Sequence, residues 1–174
     1  MASTLILLQL LQAMAVSLGV GSSTLAILSF FKALADGKIS PEERSLLGVV
    51  YLVLRVAMGL ILFTTSFLSA EPALSSGTFE YTPAMQAVWV LIAMLFLNAL
   101  LMTKKIIPMN IGPALQAATW YALGTMTTLT LIGVVLPRIE YFFLGYILDV
   151  ICTIMLVSVT MHYLKKKSMR QPSE

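Results

Sequence analysis

The chain has 174 residues, of which 59% are hydrophobic and only 11% charged, and its mean hydropathy is +0.92. A soluble domain is roughly 45–50% apolar and about 25% charged, so this composition excludes an ordinary soluble fold and indicates a protein embedded in lipid. The net charge of +3 does not indicate nucleic-acid binding, because the basic residues lie at the ends of apolar segments and form no basic face. The single cysteine, Cys152, excludes an internal disulfide and a cysteine-rich metal site.

Five apolar segments follow one another along the chain. A membrane-spanning helix needs roughly 20 mainly apolar residues. Residues 4–31, 46–69, 84–102, 113–136 and 141–164 meet this requirement, so we predict an all-α, single transmembrane domain of five helices. Ahead of the second segment, Ser40, Pro41 and Glu43 have the spacing of a capping box with proline at the first helical position. This pattern predicts that the second helix begins at Pro41.

The basic residues predict an orientation in the membrane. Nine of the eleven Lys and Arg residues lie in the first and third gaps and in the tail, residues 165–174. Arg138 lies in a gap on the opposite side, and Arg55 lies inside the second segment. Because cytoplasmic loops carry an excess of Lys and Arg, we expect an outside N-terminus and a cytoplasmic C-terminal tail.

Small residues mark three faces where helices could pack closely. In lipid, helix association depends on close approach of small residues and on interhelical hydrogen bonds. The first segment has a nearly continuous stripe of small and polar residues, and the second and fifth segments place glycines beside a charged residue. For the first segment, packing within the chain and a seam between two copies are the two interpretations. The positions concerned are Ala15, Gly19, Ser22, Ser23, Gly48, Gly59 and Gly145.

Two charged residues lie inside predicted spans, Arg55 in the second and Asp149 in the fifth. An Arg at the bilayer centre costs roughly 2.5–3.5 kcal/mol, so we expect the bundle to shelter it. One interpretation is an Arg–Asp ion pair, or separate hydrogen bonds, that fix helix packing. The other is a polar cavity that binds an anion or relays protons. Asn98 and Gln116 would either complete that cavity or join neighbouring helices by hydrogen bonds.

The sequence contains no recognisable catalytic constellation, such as a Ser–His–Asp set at one depth, paired carboxylates or a Gly-rich phosphate loop. We therefore expect a non-enzyme with no catalytic residue, no metal site and no cofactor. His162 is the only histidine, so one chain cannot hold a haem between two histidines. A single axial histidine, partnered by Met or by a second subunit, stays open as an alternative.

Three stretches resemble small, uncharacterised multi-span membrane proteins of prokaryotes: residues 17–24 (SLGVGSST), 33–43 (ALADGKISPEE) and 53–59 (VLRVAMG). The resemblance covers the first two spans. It implies a multi-pass protein of a bacterial or archaeal cell membrane, either plasma or inner, and it implies no activity, ligand or site.

Three functions fit these observations. The first is transport or permeation of a small polar solute or ion through a polar bundle interior that contains Arg55 and Asp149. The second is a non-catalytic accessory or assembly subunit of a larger membrane complex, and the third is a haem- or quinone-linked redox membrane protein. The expected partners are the lipid bilayer and either further copies of the chain or a larger membrane complex, with no nucleic acid.

Overall fold

The computed structural model describes residues 2–36, 40–77, 82–107, 111–135 and 137–168. These residues form five helices and no strand, which confirms the predicted all-α class. The helices are α1 (Ala2–Asp36), α2 (Pro41–Ser76), α3 (Pro83–Thr103), α4 (Gly112–Leu131) and α5 (Ile139–Ser168). Four of them are long and apolar enough to cross a membrane, over Ser3–Lys32, Pro41–Leu74, Pro83–Thr103 and Ile139–Leu164.

Helix α4 is not among these four helices, because polar and small residues interrupt its apolar sequence. Packing against neighbouring helices explains how α4 tolerates these residues. It contacts α1, α3 and α5, and its residues Thr119, Trp120 and Leu123 are fully buried. A helix covered by its neighbours does not need an apolar outer surface. It ends at Leu131, before the predicted residue 136, and Gly133 leaves the helix with a φ of 76°.

Two helices run further than the sequence predicted. The predicted spans 46–69 and 84–102 leave residues 70–83 as a gap, but α2 continues through Pro72 to Ser76. It ends at Gly77, whose φ of 69° is left-handed and whose N–H donates to the Ala73 carbonyl at 3.2 Å. Helix α5 likewise continues into the predicted tail as far as Ser168. Residues 78–81 and 169–174 lie outside the described residues.

Helix α2 begins at Pro41 with the predicted capping box. The Ser40 hydroxyl accepts a hydrogen bond from the Glu43 N–H at 3.2 Å, and the Glu43 carboxylate accepts one from the Ser40 N–H at 3.0 Å. Lys32 near the end of α1 forms an ion pair with the same carboxylate at 3.1 Å. The cap therefore fixes the start of α2 and joins it to α1.

Substituting Ser40→Ala is expected to lower stability by about 1 kcal/mol, because the Glu43 N–H loses its acceptor at the helix start. Ser45→Ala is the matched control, since Ser45 is exposed on the same helix. Unfolding of the purified protein by SDS in mixed micelles measures both. Equal stability of the two variants would show that the cap contributes nothing.

The first three helices run antiparallel to one another. Gln12, in the first half of α1, donates to the Thr65 hydroxyl in the second half of α2 at 3.1 Å. Trp89, near the start of α3, donates to Ser69 near the end of α2 at 3.2 Å. Each contact pairs the beginning of one helix with the end of its neighbour, as an up-and-down bundle requires.

The remaining helices continue this alternation. Leu5 of α1, Glu71 of α2, Thr82 at the start of α3 and Leu131 of α4 surround one cavity, so these helix termini lie together. We call this the N-terminal end. Helix α5 starts shortly after α4 ends, and the Tyr146 and Thr119 hydroxyls hydrogen-bond at 2.9 Å. We call the opposite end the lysine-rich end, because it has exposed Lys32, Arg44, Lys104 and Lys105.

The small-residue stripe of the first helix packs inside the chain. A Cβ built on Gly19 would lie 2.3 Å from the ring of Trp120, so α1 and α4 approach each other directly at this point. Ala15, Ser22 and Ser23 are buried on the same helix. These four residues therefore lie between helices of the same chain, and a seam between two copies stays a prediction.

The other three glycines, Gly48, Gly59 and Gly145, do not lie where two helices pack, contrary to the prediction. A Cβ built on Gly48, Gly59 or Gly145 meets nothing within 4 Å, and all three residues are exposed. On α2, the buried residues Leu54 and Ile61 lie on a different face of the helix. In the described part of the chain, these glycines therefore lie on open helix faces and bring no two helices together.

Candidate functional site

The two charged residues inside the predicted spans lie apart. Helix α2, with Arg55, and helix α5, with Asp149, make no contact within the described ranges. The Arg55–Asp149 ion pair considered from the sequence does not form there. Arg55 is exposed and Asp149 is half-buried, with one carboxylate oxygen, Oδ2, buried without a hydrogen-bond partner among the described residues.

Arg55 lies on the wall of a cavity of about 250 Å³ near the lysine-rich end. The cavity is surrounded by α1, α2, α3 and α4 and includes Thr103, the last residue of α3, and Pro113, in the first turn of α4. We call it the lysine-end cavity. Its described lining is Ser23, Ala26, Tyr51, Leu54, Arg55, Met58, Ala99, Met102, Thr103, Pro113 and Gln116. Asp149 does not belong to this lining.

Asn98 and Gln116 are brought together as a hydrogen-bonded pair between α3 and α4. The Asn98 amide N–H group donates to Gln116 Oε1 at 2.7 Å and to the Gly112 carbonyl at 3.2 Å. The Gln116 amide nitrogen in turn lies 3.8 Å from the thioether sulfur of Met58. Asn98 therefore joins two helices, whereas Gln116 both joins them and lines the lysine-end cavity.

A second cavity, of about 460 Å³, opens near the N-terminal end and involves the same four helices. We call it the N-terminal cavity. It is the more polar of the two by composition, and its polar lining consists of Gln9, Gln12, Thr65, Ser69, Glu71, Thr82, Thr127 and Thr130. One signal for this cavity is present in the sequence, because Gln9, Gln12 and Glu71 are polar residues close to predicted span ends. Without the helix pairing, however, nothing indicated that they meet.

A mainly apolar layer, with Thr64 and Thr119 as its fully buried polar members, separates the two cavities along α2, α3 and α4. It contains the fully buried side chains Ile61, Leu91, Leu95, Trp120 and Leu123. On α3, the N-terminal cavity reaches Val88 and the lysine-end cavity begins at Ala99, so roughly 16 Å of helix lies between them at 1.5 Å per residue. We call this layer the constriction.

Three buried polar atoms without partners among the described residues lie along this interior. They are Asn98 Oδ1 next to the lysine-end cavity, Trp120 Nε1 in the constriction and Thr127 Oγ1 on the wall of the N-terminal cavity. An unsatisfied buried polar group costs about 1–3 kcal/mol, so these atoms would gain from a polar solute or from water in the interior.

The chain matches no protein-family model, no curated protein and no solved structure. The resemblance of the first two helices to small prokaryotic membrane proteins therefore stays a prediction. His162 is exposed near the end of α5, away from both cavities. Within the described ranges, no three His, Cys, Asp or Glu side chains are placed to hold a metal ion.

Proposed function

We propose that all five helices cross the cell membrane, with the N-terminal end outside and the lysine-rich end in the cytoplasm. Helix α4 has 20 residues and is about 30 Å long, which matches the hydrocarbon thickness. Its neighbours bury Thr119 and Thr127, and the exposed Thr125, Thr128 and Thr130 donate hydrogen bonds to carbonyls of their own helix, so the threonines do not prevent α4 from crossing lipid. The distribution of Lys and Arg supports the orientation.

We propose that the bundle formed by α1 to α4 transports, or allows permeation of, a small solute. The observation that carries this proposal is the pair of cavities, which enter from opposite ends between the same four helices and are separated by one apolar layer. Transport by alternating access needs a path that is closed at one point and open toward each side in turn. Bilayer-spanning packing alone requires no cavity at either end.

The position of Arg55 supports the proposed placement in the membrane, because it lowers the cost of a charge in the bundle. Helix α3 has 21 residues and spans about 31 Å, so Thr103 would lie near one edge of the hydrocarbon. Arg55 shares the lysine-end cavity with Thr103. Its side chain leans toward the N-terminus of α2, which lies at the same end, so the guanidinium can reach water or headgroups.

A second candidate function is an accessory subunit of a larger membrane complex. The observation that favours it is the open face of α2, where Gly48 and Gly59 leave room for close approach of another helix. Native mass measurement after gentle extraction tests this candidate. A complex with another protein would support it, and a lone monomer would oppose it.

Widening the constriction tests the transport proposal. In liposomes, Leu91→Ala and Leu95→Ala are expected to raise the flux of chloride, urea or glycerol roughly tenfold over the unmodified protein, the effect of lowering a barrier by about 1.4 kcal/mol. A halide-sensitive dye reports chloride flux, and light scattering reports the two neutral solutes.

Val157→Ala is the control for this flux experiment, because Val157 is also apolar and buried but lies on α5. It is expected to leave the flux unchanged. If the flux of all three solutes through Leu91→Ala and Leu95→Ala equals the flux through Val157→Ala and that of empty liposomes, the constriction does not close a solute path. The transport proposal then fails.

A further inference from the structure

The lysine-end cavity combines one cation with a mainly apolar wall. Arg55 is the only charged side chain in its described lining. Six of the eleven lining residues are aliphatic, thioether or proline side chains, namely Ala26, Leu54, Met58, Ala99, Met102 and Pro113. This differs from the polar interior expected from the sequence. Such a wall does not suit a hydrated ion, because the ion would lose water molecules whose hydrogen bonds apolar side chains cannot replace.

The guanidinium of Arg55 is available to a ligand. No carboxylate lies within 4.0 Å of it in the part of the chain that the structure describes, and the side chain is exposed. A guanidinium has five N–H donors in a planar fork and no acceptor, and a carboxylate matches that fork with two parallel hydrogen bonds. The chemistry of Arg55 therefore favours an anion with a carboxylate or similar head.

Gln116 presents a second donor in the lining of the cavity. Its carbonyl oxygen already accepts a hydrogen bond from the Asn98 amide N–H group. The same group donates to the Gly112 carbonyl, so both bonds agree with Asn98 as the donor and Gln116 as the acceptor. The Gln116 amide N–H group therefore points away from Asn98, toward Met58, where its contact is only a thioether sulfur at 3.8 Å. A thioether is a weak acceptor, so this N–H group would gain from a better one.

The size of the cavity limits the ligand. An apolar cavity of about 150 Å³ holds benzene, so a cavity of about 250 Å³ suits a ligand of roughly eight to ten non-hydrogen atoms. A single positive charge on the wall matches a single negative charge on the ligand. The exposed lysines of the same end would attract anions toward the cavity.

We propose that the lysine-end cavity binds a small amphiphilic monocarboxylate, with the carboxylate on Arg55 and the aliphatic chain against Leu54, Met58 and Ala99. That this ligand is also the transported solute depends on the proposed function. Binding to the cavity does not, because it can be measured without any flux.

Calorimetric titration of the full-length protein in nanodiscs tests this inference, with hexanoate as the probe because it has eight non-hydrogen atoms. Hexylammonium and hexanol have the same chain without the negative charge, and acetate has the charge without the chain. We expect hexanoate to bind at least about tenfold more tightly than each of these three, as expected for a charge-assisted hydrogen bond combined with apolar burial.

Four variants locate the site. Arg55→Gln is expected to weaken hexanoate binding by roughly tenfold or more, and Arg55→Lys by less, because lysine keeps the charge but loses the planar fork. Ala99→Phe fills the cavity and is expected to abolish binding with Arg55 in place. Arg138→Gln removes an exposed cation outside the cavity and is expected to change nothing.

Equal binding of hexanol or hexylammonium, or unchanged binding in Arg55→Gln or Ala99→Phe, would overturn the inference. If hexanoate binds with the expected pattern but Leu91→Ala and Leu95→Ala do not raise the flux, the binding site is supported and the transport proposal fails. The two proposals therefore fail in different measurements.

Discussion

Replacing Gly19 by alanine is expected to destabilise the protein by at least about 2 kcal/mol, the cost of forcing an extra methyl group into a closely packed interior. The new Cβ would lie 2.3 Å from two carbons of the Trp120 ring. Real Cβ contacts are never so short, so either α1 must move away from α4 or the ring must turn. Neither adjustment is easy, because Trp120 is fully buried.

Gly21→Ala is the control for this effect. Gly21 lies on the same helix half a turn away, and a Cβ at this position meets nothing within 4 Å. Because alanine favours a helix over glycine by about 1 kcal/mol, Gly21→Ala is expected to leave stability unchanged or to raise it slightly. SDS unfolding in mixed micelles compares the two variants. If they are equally stable, α1 does not pack on α4 through Gly19.

The helices themselves could be predicted because hydropathy and capping act locally. Five apolar segments indicated five helices, and Ser40, Pro41 and Glu43 indicated the start of α2. The continuation of α2 through Pro72 could not be predicted in the same way. Proline near the end of a long helix removes only one backbone hydrogen bond, and neighbouring contacts decide whether the helix continues.

The site could be predicted only in part, because it depends on which helices are neighbours. Arg55 and Gln116 were recognised as polar groups in apolar surroundings, and both line one cavity. Asp149 and Arg55 are opposite charges at similar depth in the predicted spans, so the sequence suggests a pair. The sequence does not reveal that α2 and α5 are not neighbours. The N-terminal cavity was missed for the same reason, since its polar groups come from four separate helices.

Accessibility of single cysteines along α3 tests the central claim, that two cavities open to opposite sides of the membrane and one apolar layer separates them. The background is Cys152→Ser, which removes the only native cysteine. Met85→Cys lies in the N-terminal cavity, Leu91→Cys in the constriction and Ala99→Cys in the lysine-end cavity. Leu97→Cys, on an exposed apolar face of the same helix, is the control for a position that faces lipid.

A charged, membrane-impermeant thiol reagent is added to intact cells and, separately, to inverted membrane vesicles. We expect Met85→Cys to react only in cells, Ala99→Cys only in inverted vesicles, and Leu91→Cys and Leu97→Cys in neither. Modification of Met85→Cys and Ala99→Cys from the same side, or ready modification of Leu91→Cys, would contradict the account.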